Sequence, residues 1–356
     1  MATNAVPATT PAAPWWKRAA KRYGLDALSA MALGLFSTLI VGLILEQLAR
    51  IPFLNVLLDF AKTAQSAPVV GAGIGVAVGW GLKVPPLALL SSVVSGALGY
   101  AQGGPLGCYL AAVAGAECGR LLAGKTKLDI VLVPAATILA GGAVALLVGP
   151  WVQSLMRGLM GIIDTATRLQ PIPMGILVSV VVGLVLTAPI SSAALCAMIF
   201  TAAPDMELGL GLQLAAGAAT AGCCAQMIGF AVISFPENRV GGLIAQGLGT
   251  SMLQVPNILR HPQVLIPPVL ASAITGPLAT TLFAMRNAGA AAGMGTSGLV
   301  GQLGTWAAMA DSEPALLLLG KMLVLHVALP AAISWLCAAA MRRRGWIQPG
   351  DLKLSM

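Results

Sequence analysis

Seven polar side chains stand in stretches where an apolar environment would otherwise exclude them: Glu117, Gln226, Glu237, Asn238, Thr296, Ser297 and Gln302. Hydroxyls and amides each offer both a donor and an acceptor, which suits binding to a neutral polar solute. A carboxylate adds a strong acceptor that can also carry a proton, and ionisable groups at membrane depth mark function by default. Glu117 lies in "AAVAGAECGRLLAGK", three residues before Arg120, so a helix-end ion pair competes with a site role. Gln226 sits deep in an apolar run. Glu237 and Asn238 follow Pro236, which breaks a helix, and Gly241-Gly242 after them favours a tight re-entry over a plain surface turn.

Thr296, Ser297 and Gln302 belong to the glycine-rich stretch "GMGTSGLVGQLG" at 293–304. Gly293, Gly295 and Gly298 spell G-x-G-x-x-G. A dinucleotide loop needs a strand before that spacing and a helix after it, inside a βαβ unit. The preceding "MRNAGAAA" is no strand, so that chemistry is discarded. The stretch is expected to be a re-entrant, non-helical turn. Irregular backbone at membrane depth is tolerated only where protein buries it or it lines a wet cavity. Its free N–H groups, with the Thr296 and Ser297 hydroxyls, would then face a solute. Other polar residues carry plainer expectations. Gln254 and Asn257 read as the capped end of a span. Lys321 snorkels, and His326 is a core residue satisfied by its neighbours.

Elements that could hold such groups must be membrane helices. The chain of 356 residues is 58% hydrophobic and only 9% charged, against about 25% charged in soluble domains. Its 20 Lys and Arg against 12 Asp and Glu do not indicate nucleic acid, because the basic residues cluster at segment ends. The six cysteines form no C-x-x-C pair and read as packing residues. The sequence calls for neither a cofactor nor a metal. Apolar segments fall at 27–49, 67–82, 85–101, 104–123, 128–150, 172–200, 207–235, 240–258, 264–285 and 315–341. The mixed stretches 52–66 and 151–168 are expected along the interface.

The fold expected is an all-α polytopic membrane protein of about ten transmembrane helices with re-entrant hairpins. Residues 1–25 form an unstructured start with an interfacial anchor at "WWKRAAKRYG"; 342–356 form a tail. Basic clusters at Lys17–Arg22, Arg120–Lys127 and Arg342–Arg344 place both ends in the cytoplasm. "GLFSTLIVGLIL" (34–45) echoes "GILVSVVVGLVL" (175–186), and "KLDIVLVPAATILAGG" from Lys127 echoes "RHPQVLIPPVLASAIT" from Arg260. These echoes divide the chain into related halves, 26–168 and 169–341, inverted with respect to each other as in many secondary transporters.

The stretches "AGKTKLDIVLVP" (123–134), "APISSAAL" (188–195), "ATAGCCAQMIGFAVISFPEN" (219–238), "GLGTSMLQVPNI" (247–258) and "AGMGTSGLVGQL" (292–303) carry a resemblance. The chain resembles the bacterial phosphotransferase-system sugar transporter subunit IIC, type two, a group that includes toxin-regulator membrane proteins similar to the perfringolysin O regulator. The resemblance covers about 27–341. It implies a multi-pass protein of the bacterial cytoplasmic membrane, a homodimer, and a sugar site built from re-entrant hairpins. It also implies separate soluble IIB and IIA partners, since no stretch here is long enough for a fused one.

Three functions follow. The first is a transporter of a small polar solute, a sugar or sugar-like compound, by alternating access between the halves, with the seven residues named first as its site. The second is a phosphorylation-coupled IIC component that receives IIB near the basic loop Arg120–Lys127. The third is a membrane sensor that regulates gene expression through a partner, since nothing in the chain reads as a DNA-binding module.

Overall fold

A computed structural model describes residues 14–188, 191–202 and 207–354. Of the start 1–25, expected to be unstructured apart from its anchor, residues 1–13 lie outside the described residues, while from Trp15 on the chain forms the first turns of a long helix. Among the described residues the chain is helical with no strand. The helices are α1 (Trp15–Ala49), α2 (Leu57–Gln65), α3 (Ala67–Gly81), α4 (Pro86–Leu122), α5 (Asp129–Leu169), α6 (Pro171–Thr187) and α7 (Ser192–Phe200). They continue as α8 (Leu210–Ile233), α9 (Phe235–Ile244), α10 (Val255–Arg260), α11 (Pro262–Thr280), α12 (Val300–Met309) and α13 (Ala315–Arg343). Five of these, α1, α5, α8, α11 and α13, are long and apolar enough to cross a membrane, while α3 and α6 are apolar but shorter.

Glycine pairs set the helix order, because small residues let backbones approach where lipid gives no hydrophobic drive. Gly34 of α1 lies on Gly73 and Ile74 of α3, and Gly81 on Ala30, so these two run antiparallel. Helix α4 is in fact a hairpin. Its backbone leaves helical geometry at Gly103 and Gly104 (φ +60°), a conformation open to glycine. Gly99 then faces Gly107 and Cys108, Ser95 faces Gly115, and Ala88 faces Gly119. Arms 86–102 and 105–122 match the separate apolar segments read from the sequence. Helix α5 runs back along the second arm, with Gly115 on the Thr137 carbonyl and the Ser95 hydroxyl donating to that carbonyl at 3.0 Å.

The 41 residues of α5 span about 60 Å. The stretch 151–168, expected as a separate interfacial segment, is instead its continuation, in spite of Pro150. This extension caps α8: the Leu212 N–H donates to Asp164 Oδ1 at 2.8 Å. In the second half, Gly175 of α6 lies on Gly276 of α11, and the Ser179 hydroxyl donates to the Ser272 carbonyl at 2.8 Å, so these helices are antiparallel. Helix α8 is the buried centre, parallel to α6 at Gly183–Gly222 and to α13 at Gly229–Ser334. Following these directions, Arg22, Lys83, Arg120, Lys125, Arg260 and Arg342 gather at one end of the molecule. Arg50, the Gly103–Gly104 tip and Asp164 lie at the other.

Two expected segments change shape. The stretch 172–200 divides into α6 and the short α7. The stretch 240–258 is not one helix: Arg239 takes φ +52°, Thr250 is extended, and single turns join α9 to α10. Gly241, Gly242, Gly247, Gly249 and Pro256 remove the helix propensity that its apolar composition implied.

Candidate functional site

The glycine-rich stretch folds as short turns over Gly289–Gly293 and Ser297–Leu299, and regular helix resumes at Val300. The expected non-helical turn is therefore present over 293–299, while 300–304 is helical. Its organiser is Asn287, fully buried. The Asn287 amide donates to Thr220 Oγ1 (2.8 Å), the Gly301 carbonyl (3.0 Å) and Thr305 Oγ1 (3.3 Å), and its oxygen accepts from the Ala288 N–H (2.8 Å). Gly295, at φ +53°, presses on the Cys223 backbone in the middle of α8, where a side chain would have no room.

Helix α7 lies against this stretch. The Ser192 hydroxyl donates to the Gly293 carbonyl at 2.6 Å, and Ala193, Ala194 and Ala197 join Ala290 and Ala291 in one buried cluster with α1 and α3 residues such as Met31 and Ile74. Two short broken segments thus meet inside the protein, between the halves.

A cavity of about 230 Å³ opens where they meet α1. Five hydroxyls line it: Ser29 from α1, Ser191 and Ser192 at the start of α7, Thr250 between α9 and α10, and Ser297. Met252 and Met294 supply apolar wall, and no charged side chain lines it. Ser191 accepts the Ala194 N–H (3.1 Å) and Thr250 the Met252 N–H (3.1 Å). Each keeps its own O–H proton for donation. The volume lies below the roughly 300–1,000 Å³ of drug-sized pockets. The arrangement can hydrogen-bond a small neutral solute and offers nothing for a fixed charge.

Of the seven residues singled out in the sequence, Ser297 alone lines this cavity. Thr296 turns away and donates to the Gly247 carbonyl at 2.5 Å. Gln302 is inside the protein, its amide at 3.3 Å from both Cys224 Sγ and His326 Nδ1. Gln226 joins a buried polar chain: its carbonyl accepts from Thr187 (3.3 Å) and its amide donates to Ser272 (3.4 Å). Glu117 is clamped at the basic end, one oxygen by Arg22 (2.6 Å) and the other by Arg120 (2.6 Å). Glu237 and Asn238 bind the C-terminal tail: the Leu352 N–H donates to Glu237 (3.0 Å), and Asn238 donates to the Leu352 carbonyl (2.8 Å).

The secondary candidates also find partners. Gln254 and Asn257 reach the same tail, donating to the Leu352 and Lys353 carbonyls at 3.1 and 3.0 Å, rather than capping a span. Lys321 reaches back past the start of α13 and pairs with Glu313 at 2.7 Å. His326 is fully buried but only half satisfied, since its Nε2 has no hydrogen-bond partner.

Sequence reasoning passed over Ser29, Ser191, Ser192, Thr250 and Asn287. A signal existed for the serine pair in "APISSAAL", which stands two residues after a proline. Ser29 carried none, being one small hydroxyl on a long helix.

Compared with curated proteins, the chain has no match. The family model described as "Phosphotransferase system, EIIC" matches residues 25–354. That span takes in both broken segments, every hydroxyl of the cavity and nearly all of the described chain. This multi-pass membrane protein belongs to the phosphotransferase system EIIC family.

Proposed function

We propose that the chain binds a small, neutral, polyhydroxylated solute in the cavity at Ser29, Ser191, Ser192, Thr250 and Ser297, and moves it across the bacterial cytoplasmic membrane by alternating access. The observation that carries this is the convergence of five hydroxyls from four separate segments on one uncharged cavity. A sugar presents hydroxyls in all directions, and such a cavity answers them without a charge to desolvate. Family membership supports a sugar as the solute class.

Both termini lie in the cytoplasm in this reading, because the basic end carries Arg22, Arg120, Lys125 and Arg342. This reading also takes the chain as two halves, 26–168 and 169–341, of about ten spans in inverted relation. A homodimer follows from family resemblance alone.

A second reading, coupling to a separate phosphorylated IIB protein, is favoured by one observation. The Arg120–Lys127 loop lies at the same end as the Ser29 cavity, so a docked donor would face the solute.

Thermal unfolding of the purified protein with glucose, mannitol and N-acetylglucosamine tests the solute class. A solute that binds the folded form raises the apparent melting temperature by mass action. The shift is expected to vanish in a Ser191→Ala, Thr250→Ala double variant that melts like the parent without solute. A shift that survives this double variant places the site elsewhere.

A further inference from the structure

A second cavity, of about 200 Å³, lies farther along α1. It is bordered by Leu39, Ile40 and Leu43, by Gln65 of α2, by Thr201 and by Ala288–Ala291. The first cavity touches α1 at Ser29 and Ala32. The two contact zones are about ten residues apart, or roughly 15 Å along the helix. They face opposite ends of the molecule. Ser29 is level with the end of α3 at Gly81, near Lys83, and Leu43 is level with the start of α3, where Gly42 packs on Gln65 and Ala61.

The same two broken segments border both cavities. Helix α7 has Ser192 at one and leads through Phe200 to Thr201 at the other; the glycine-rich stretch has Ser297 and Met294 at the first and Ala288–Ala291 at the second. Between the cavities the segments are sealed by the Ser192–Gly293 hydrogen bond and by alanine packing. Beyond the seal, the Thr201 hydroxyl is buried with no hydrogen-bond partner. Ala202 and Leu208 also border a further cavity of about 210 Å³ that carries Arg157, Asp164 and Glu207, a polar way out.

We propose that the Thr201 cavity is a second solute site, the vestibule on the opposite side of the membrane, and that the Ser192–Gly293 seam is the barrier between it and the hydroxyl cavity. It takes the same uncharged polyhydroxylated solute and so rests on the proposed function. Thr201 and Gln65 supply its polar contacts, and Gln65 is held by the Glu46 carboxylate, to which its amide donates at 2.7 Å. A seam made of one side-chain hydrogen bond and small residues can part without breaking a helix, because the glycine-rich stretch is only single turns there and the short α7 can shift as a whole.

Single cysteines at Ser29 and Thr201 test the arrangement in a background lacking Cys118 and Cys337, the two native thiols that are not buried. The full-length protein is placed in oriented membrane vesicles and exposed to a charged, membrane-impermeant methanethiosulfonate from one side at a time. Ser29→Cys should label from the cytoplasmic side and Thr201→Cys from the opposite side. Adding Ser192→Ala should raise labelling of Thr201→Cys from the cytoplasmic side at least threefold. Labelling of both cysteines from one side, failure of either to label in protein that still shows its parental melting temperature, or no effect of Ser192→Ala overturns the proposal. Sidedness is read without any sugar, so a failed sugar assay and a failed vestibule remain distinguishable.

Discussion

Ser192 and Gly293, 101 residues apart in sequence, are joined by a hydroxyl-to-carbonyl hydrogen bond of 2.6 Å at the point where two broken helical segments touch. The contact is so close that a Cβ on Gly293 would meet the Ser192 carbonyl and lie 2.8 Å from Cys196 Sγ. Each segment alone would leave backbone polar groups unpaired; together they satisfy some of them inside the protein.

Gly293→Val is therefore expected to destabilise the fold by about 2 kcal/mol or more, since the branched side chain meets backbone that cannot retreat. Solute binding should fall with it. Leu299→Met, which keeps a side chain unbranched at Cβ on this positive-φ residue, 52% exposed, should cost under about 0.5 kcal/mol. Melting temperatures of the two purified variants check the contrast, and equal losses would contradict the seam.

Asn287→Leu should be among the more damaging single changes. It leaves the buried Thr220 and Thr305 hydroxyls and the Gly301 carbonyl without the Asn287 amide, at about 1–3 kcal/mol for each group left orphaned. Faster proteolysis within 281–299 than elsewhere in the chain is the expected signature, and parental proteolysis would show that Asn287 does not organise the stretch.

Glu117→Gln separates a structural from a binding role. Two arginines hold this carboxylate near the surface, at a distance from the hydroxyl cavity. The substitution should cost about 1 kcal/mol of stability and leave solute binding within about threefold of the parent. A complete loss of binding in folded protein would return Glu117 to the site.

Ending the chain after Gly345 removes Ile347 and Leu352, both buried against Phe230, Ile233 and Val264. Burying each such side chain contributes about 1.5–3 kcal/mol, so a loss of about 4 kcal/mol is expected. It also uncovers Glu237, Asn238, Gln254 and Asn257. Leu352→Asp in the intact chain should reproduce much of the loss, and an unchanged melting temperature in both variants would show that the tail is dispensable.

Much of the fold was legible because membrane helices are specified locally. An apolar stretch of the right length must satisfy its backbone within itself, so arms 86–102 and 105–122 of α4 could be read from composition, with Gly103-Gly104 as the break. The glycine spacing and hydroxyls of 293–299 likewise announced irregular backbone. The mixed stretch 151–168 and the apolar stretch 240–258 misled in opposite directions: Pro150 does not interrupt α5, and glycines with Pro256 do break the second.

The site divides along the same line. Residue type alone pointed to Glu117, Gln226, Glu237, Asn238, Thr296, Ser297 and Gln302, because a polar group in an apolar run is visible without a structure. Whether its partner is a solute or the protein is a matter of three-dimensional position. Glu237 and Asn238 meet a tail more than 110 residues away in sequence, and Glu117 meets Arg22 across 95. Ser29, Ser191 and Thr250 are small hydroxyls that any membrane helix or turn can carry, and they acquire meaning only where packing brings them around one cavity. The sequence by itself determined the apolar helices, the glycine breaks and the crowding of positive charge at their ends, since each follows from local composition. The tertiary structure alone decided which polar groups are satisfied by the protein and which are left facing a space, since hydrogen bonding depends on neighbours distant along the chain.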